Sequence, residues 1–162
     1  VALRRQDPER AMVLLEQSRA LFAEISSTDY LPEVERHMAE AHLAQGEIEE
    51  ALECARRSAE LAQEHDMRLE EAITRRVLGQ TYLTLDQGQE AERELEASLH
   101  VLRTLDSRYE IGQTLHQLGA LYLKQGRHDR AGESLDQSIT IFRALGARLD
   151  LNEARSLRTS LD

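Results

Sequence analysis

Apolar residues recur along this chain at three- and four-residue intervals, in stretches long enough for helices and separated by short polar breaks. Leu115, Leu118 and Tyr122 mark one such stripe, and Ala131, Leu135 and Ile141 mark the next. Each stripe covers one side of a helix, so every helix has one face to bury and one to leave in water. The pattern predicts helices at about 8–25, 27–45, 47–64, 67–85, 88–104, 107–125, 127–145 and 148–161. No stretch alternates with the period of two that a strand requires.

The breaks carry their own signals. Glycine in "QGE" at 45–47, "LDQGQ" at 85–89 and "QGR" at 125–127 is expected to take the left-handed conformation that ends a helix. Near Ser26, Asp66, Asp106 and Gly146 a second set of breaks falls, where serine and aspartate are expected to act as N-caps. Asp7 followed by Pro8 is the same signal one unit earlier, with proline at a first helical position.

Shifting the chain against itself by forty residues superimposes these features. Leu3, Leu43, Leu83 and Leu123 align, as do Ala11, Ala51, Ala91 and Ala131, and then Ser18, Ser58, Ser98 and Ser138. An apolar column follows at Leu21, Leu61, Val101 and Ile141. The segments "LGQTYL" at 78–83 and "LGALYL" at 118–123 are the plainest repeat. Their glycines are expected to admit a paired helix closely, with Leu78 and Leu118 beside the contact, Tyr82 and Tyr122 one turn along, and the small Ala91 and Ala131 opposite. A single helix pair cannot bury its stripe alone, so successive pairs must stack.

Composition supports this picture and narrows the partners. Aromatics make up 4% and tryptophan is absent, while helix-favouring residues dominate. The net charge of -10 argues against a general nucleic-acid binder, which needs a basic surface to displace counterions. No apolar run is long enough to span a bilayer, and the opening residues lack a signal peptide's apolar core. The single cysteine, Cys54, cannot form an internal disulfide and fits a reducing cytoplasm.

The repeated positions resemble the tetratricopeptide repeat, a helix-turn-helix unit. Leu115, Leu118, Gly119, Tyr122, Ala131, Leu135 and Ser138 match its pattern in one unit. Leu78, Gly79, Tyr82, Ala91, Leu95 and Ser98 match it in the unit before, with Arg75 where a bulky apolar residue belongs. Met38, Ala39, His42, Ala51, Ala55 and Ser58 match less closely in the first. The resemblance implies an all-α, right-handed superhelical solenoid of antiparallel helix pairs, divided as repeats at 26–65, 66–105 and 106–145. Residues 1–25 would supply the second half of a preceding repeat, and 146–162 a capping helix. A period of forty rather than the family's usual 34 suggests longer helices, like the variant in bacterial regulatory and signalling proteins.

Two expectations concern the ends. Helix 8–25 lacks a partner within the chain and presents Ala11, Leu15, Leu21 and Phe22, which marks a fragment of a longer protein or a self-associating surface. Arg155 and Arg158 replace apolar columns in the last helix, leaving the single stripe Leu151, Ala154, Leu157 and Leu161 that a cap requires.

By the same resemblance a partner lies in the concave groove lined by first helices. Carried over by register, the groove positions are Glu33, Arg36, His37 and Glu40, then Arg76, Gln80 and Thr84, then Gln113, His116, Gln117 and Lys124. Arg36, Arg76 and His116 form one column, suited to an acidic or extended peptide unless these charges are paired within the molecule. The carboxylate clamp of some family members needs lysine and asparagine where Glu40, Gln113 and Gln117 stand, so that clamp is not expected.

The remaining chemistry is sparse. The six histidines lack metal-ligand spacing, and His42 replaces a core tyrosine. Cys54 has no histidine at a useful offset, acidic runs such as "GEIEEALE" at 46–53 are solvated helix faces, and no phosphate-binding loop occurs. The expected function is a protein- or peptide-binding module without cofactor, metal or catalysis, and without direct nucleic-acid or membrane binding. The alternative is self-association through the unpaired first helix.

Overall fold

A computed structural model of the chain describes residues 8–24 and 29–161. Its elements are α1 (Pro8–Glu24), α2 (Leu31–Gln45), α3 (Ile48–Glu64), α4 (Arg68–Thr84), α5 (Gly88–Thr104), α6 (Arg108–Lys124), α7 (His128–Leu145) and α8 (Arg148–Thr159). Among the described residues no strand occurs. Helices α2 and α3, α4 and α5, and α6 and α7 form antiparallel pairs, and each pair stacks on the next through α3 with α4 and α5 with α6. Successive first helices also touch, α2 with α4, α4 with α6 and α6 with α8, whereas α3, α5 and α7 do not meet one another. The first helices therefore line the tighter, concave side of an all-α superhelix, and the second helices spread over the convex side.

Six turns, spaced every twenty residues, end the helices in one way. Gly46, Asp66, Asp86, Asp106, Gly126 and Gly146 all have positive φ. At each, that residue's amide donates to the carbonyl three back, and the next amide to the carbonyl five back, as in Gly46 to Leu43 and Glu47 to His42. Asp66 and Asp106 thus close the preceding helix and do not cap the following one; the helices after them begin without a side-chain cap. In "LDQGQ" the left-handed residue is Asp86, and Gly88 is already the first residue of α5. The short polar side chain of aspartate tolerates this region better than most, so glycine and aspartate share one structural role. The Ser26 turn lies outside the described residues. Asp106→Gly is expected to raise stability by about 0.5–1 kcal/mol, because it removes a β-carbon from left-handed backbone. Urea midpoints would show it, with Gly126→Ala shifting the other way.

The fourfold columns are buried where they are complete. Ala51, Ala91 and Ala131 are sealed, as are Ser58, Ser98 and Ser138. Those serines tie each pair together: their hydroxyls donate to the carbonyls of Pro32 (2.7 Å), Ala72 (2.7 Å) and Gly112 (2.9 Å), in the first helix of the same pair. Ser58 also meets Thr74 on the next first helix at 2.8 Å. Ser18, with no first helix described before it, turns back to the Leu14 carbonyl of its own helix.

The glycines do admit the paired helix, and the group seated on them is a leucine one turn beyond the expected alanine. A β-carbon at Gly79 would lie 2.5 Å from Leu95 Cγ, and one at Gly119 would lie 2.6 Å from Leu135 Cγ. In the first pair the same positions hold Ala39 and Ala55, both fully buried. A methyl on one helix is thus matched by a smaller residue on the other. At the far end α8 buries Ala154, half-buries Leu151 and Leu157, and leaves Arg155 in water.

Candidate functional site

The concave face is built from α2, α4, α6 and α8, and its charges are largely spent on joining those helices. Arg36 Nε donates to Glu70 on the next first helix, and its Nη1 donates to Glu40 at 3.2 Å. One repeat on, Arg76 Nη2 donates to Glu110 Oε2 at 2.9 Å. One further, Gln113 Nε2 donates to Asp150 Oδ1 on α8 at 2.7 Å and to the Tyr109 hydroxyl at 2.8 Å. The acids Glu70, Glu110 and Asp150 form a column of their own at the forty-residue spacing, which the sequence displays but which acquires meaning only beside the Arg36, Arg76 and His116 column.

Burial sorts the expected groove residues into two kinds. Arg36 and Gln113 are buried, and Arg76 and His116 are half-buried. The guanidinium of Arg36 is held above its ordinary pKa: burial works against the charge, but Glu70 and Glu40 outweigh it. Glu40 and Gln117 are half-buried, while Gln80 and Lys124 are exposed. Gln117 Nε2 donates to Gln80 Oε1 at 3.1 Å across α6 and α4, and Gln117 Oε1 has no hydrogen-bond partner. Lys124 closes the α4 terminus, donating to the Leu83 carbonyl at 3.3 Å and pairing with Asp86 at 2.6 Å. Glu40, Gln80, Gln117 and Lys124 are thus the expected groove residues left exposed or half-buried with polar groups on this face.

His37 Nδ1 lies 3.1 Å from Glu40 Oε2, and Arg36 and Arg76 add positive charge around that carboxyl. Burial alone would raise the Glu40 pKa; the His37 hydrogen bond and the Arg36 charge reverse this and lower it. A carboxyl depressed in the folded state contributes stability above its unfolded value, near pH 4.3, and loses it as pH falls through the folded value. Glu40→Gln is therefore expected to flatten the acid limb of a stability–pH curve below about pH 4.3, with little change in slope at neutral pH.

The convex side carries a second set of contacts. Tyr122 lies beneath the guanidinium groups of Arg127 and Arg130, 4.5 and 4.4 Å from its ring centre, and its hydroxyl donates to Glu96 at 3.2 Å. Burial and the nearby Glu92 and Glu96 hold that hydroxyl protonated by raising its pKa. Between α2 and α3, Cys54 is buried and its thiol is pushed up to about 11 by burial and by Glu35. A thiol so disfavoured as thiolate is a poor nucleophile. Among the described residues no group of histidine, cysteine and carboxylate side chains is placed to hold a metal ion.

On α1, Ala11, Leu15 and Phe22 are half-buried, and Leu21 is exposed. Val13 and Leu14, which lie outside the repeated apolar columns, are exposed as well. Phe22 stacks on Tyr30 with ring centres 5.4 Å apart. Among the described residues no helix is long and apolar enough to cross a membrane.

Comparison with known proteins accords with this geometry. Family models described as tetratricopeptide repeat match residues 32–57 and 106–144. Two stretches of the chain are thus tetratricopeptide repeats. The unit between the two matches is the one with Arg75 at a bulky apolar position, where it donates to Glu94 at 2.9 Å and to Glu71 at 2.8 Å. No curated protein matches at the level of sequence.

Solved structures share the fold over most of the chain. A Rap protein complexed with Competence and Sporulation Factor superimposes with a TM-score of 0.81 at 17% identity, covering 93% of this chain and 45% of that one. The chain therefore spans a little under half of the Rap protein. A kinesin light chain TPR-like repeat protein of Podosopora anserina gives 0.67 at 21% identity, with 95% and 84% covered. BtubC from P. vanneervenii gives 0.64 at 16% identity, with 96% and 81% covered. These likenesses establish the shape.

Proposed function

We propose that the chain is a protein-interaction scaffold whose concave groove takes an extended peptide or a segment of a partner protein, as part of a larger regulatory or signalling protein. The observation that carries this reading is the Gln80–Gln117 pair, an amide bridge between neighbouring first helices whose Gln80 side chain is exposed on the concave face. Arg36 and Arg76 act in this reading as braces: their bonds to Glu70 and Glu110 hold α2, α4 and α6 at fixed spacing, so the amides are presented on a rigid surface. Glu40 and Lys124 supply opposite charges at the two sides. The Rap protein was solved with Competence and Sporulation Factor bound, and the tetratricopeptide repeats favour a protein or peptide partner here.

Panning a random peptide library against the immobilised chain, and then against Gln80→Ala/Gln117→Ala, tests the groove. Loss of the retained peptides by the variant is expected; retention unchanged would move the site elsewhere. Self-association is the second reading, favoured by the exposed Val13, Leu14 and Leu21 on α1. Light scattering over a concentration series decides it, since a strict monomer at high concentration removes it and Leu14→Arg would otherwise dissociate the complex.

A further inference from the structure

Outside α1, every exposed large apolar side chain among the described residues except Tyr30 sits at one kind of place, the junction between one helix pair and the next. Leu69, Tyr109 and Leu149 are the second residues of α4, α6 and α8, Leu105 is the C-cap of α5 and Leu145 is the last residue of α7. At 45%, 41% and 56% exposed, the first three keep about half of an apolar surface in water, one per repeat. Because the pairs are antiparallel and stack in register, these junctions share one edge of the solenoid; Tyr109 reaches Asp150 of α8 and its ring lies 6.0 Å from Phe142 of α7.

An arginine precedes each of the three apolar residues at the helix starts. The triplets are Arg68-Leu69-Glu70, Arg108-Tyr109-Glu110 and Arg148-Leu149-Asp150. The acids turn inward to the bonds of the groove, to Arg36, Arg76 and Gln113. The arginines occupy first helical positions, where the positive end of the helix dipole disfavours a cation, so helix stability does not account for them. Arg68 donates to Thr104 at 3.3 Å. Arg108, Arg143 and Arg148 form no ion pair among the described residues. Arg103, Arg108, Arg143 and Arg148 are all exposed near the last two junctions, where the exposed carboxylates nearest in sequence are Asp106 and Glu153, in a chain whose net charge is -10.

We infer that this edge, centred on Leu105, Arg108, Tyr109, Leu145, Arg148 and Leu149, docks an acidic segment of a partner protein that carries apolar side chains. The apolar groups supply area and the unpaired guanidinium groups select carboxylates and steer their approach. An anionic bilayer would meet the same groups, but it would also meet the negative charge of the rest of the molecule. This edge borders the concave face at Tyr109, whose hydroxyl accepts from Gln113, but it shares no residue with the Gln80–Gln117 site, and either surface can stand without the other.

The test uses two arrays of twelve-residue peptides that interleave leucine, phenylalanine and tyrosine with either aspartate and glutamate or lysine and arginine. The chain is expected to retain the acidic array selectively. Arg108→Glu/Arg148→Glu is expected to weaken the retained peptides by about tenfold or more, with Tm unlowered because glutamate suits a helix N-terminus. Leu149→Ser is expected to weaken them also, and Gln80→Ala/Gln117→Ala to leave them unaffected. Equal retention of both arrays, indifference to the charge reversal, or sensitivity to the groove variant alone would overturn the inference. Binding to phosphatidylserine vesicles in place of the peptides would overturn it too.

Discussion

Gly119→Ala is expected to lower stability by about 1–3 kcal/mol, and Leu135→Ala by about 2–5 kcal/mol, yet the two together should cost no more than Leu135→Ala alone. The added methyl would press on Leu135 Cγ and Cδ2 at 2.6 and 2.7 Å, and Leu135 is fully buried with no room to retreat. Removing the leucine opens the space that the methyl needs. The first pair already contains that solution in Ala39 and Ala55, both sealed from solvent. Urea unfolding of the wild type, both single variants and the double variant would measure the coupling. Simple additivity would mean that the close approach of α6 and α7 does not govern the packing of this pair.

Glu110→Ala is expected to cost about 2–3 kcal/mol, more than an exposed ion pair contributes, because it strands the guanidinium of Arg76. The two side chains are only 13% and 19% exposed, and Arg76 Nε already lacks a partner. Replacing both, as Arg76→Met with Glu110→Leu, should return stability to within about 1 kcal/mol of the wild type, since two charges then need no desolvation. The same four-variant cycle checks it. If the single variant is neutral, α4 and α6 are held by packing alone and Arg76 is released to serve a ligand.

Much of the fold is legible in the sequence because its information is local and repeated. A leucine every turn announces a helix, and a forty-residue echo announces stacking; the ends of the eight helices fall within a few residues of those the pattern predicts. The helix breaks are legible in position and less so in detail. Aspartate is a common N-cap and also one of the few non-glycine residues to accept left-handed backbone, so Asp66 and Asp106 suit either role. The tertiary path of the chain, which carries Met67 and Ser107 into the next helix, selects the second.

The groove was less legible. Arg36 and Arg76 stand in a column that reads equally well as a ladder for a ligand or as half of an internal pairing. Their partners Glu70 and Glu110 lie 34 residues away, a distance at which no local rule connects two side chains. The edge triplets are illegible for the opposite reason: Arg-Leu-Glu opening a helix looks unexceptional until solvent exposure shows the leucine outside the core and the arginine without a carboxylate partner.

By itself the sequence determined the helical class, the repeat and the faces that stack, since periodicity decides which side chains can be buried together. Only the tertiary structure decided which charges are consumed in holding the repeats to one another and which remain for a partner. Desolvation and pairing depend on groups brought together from different turns of the superhelix, and that proximity is a property of the packed molecule.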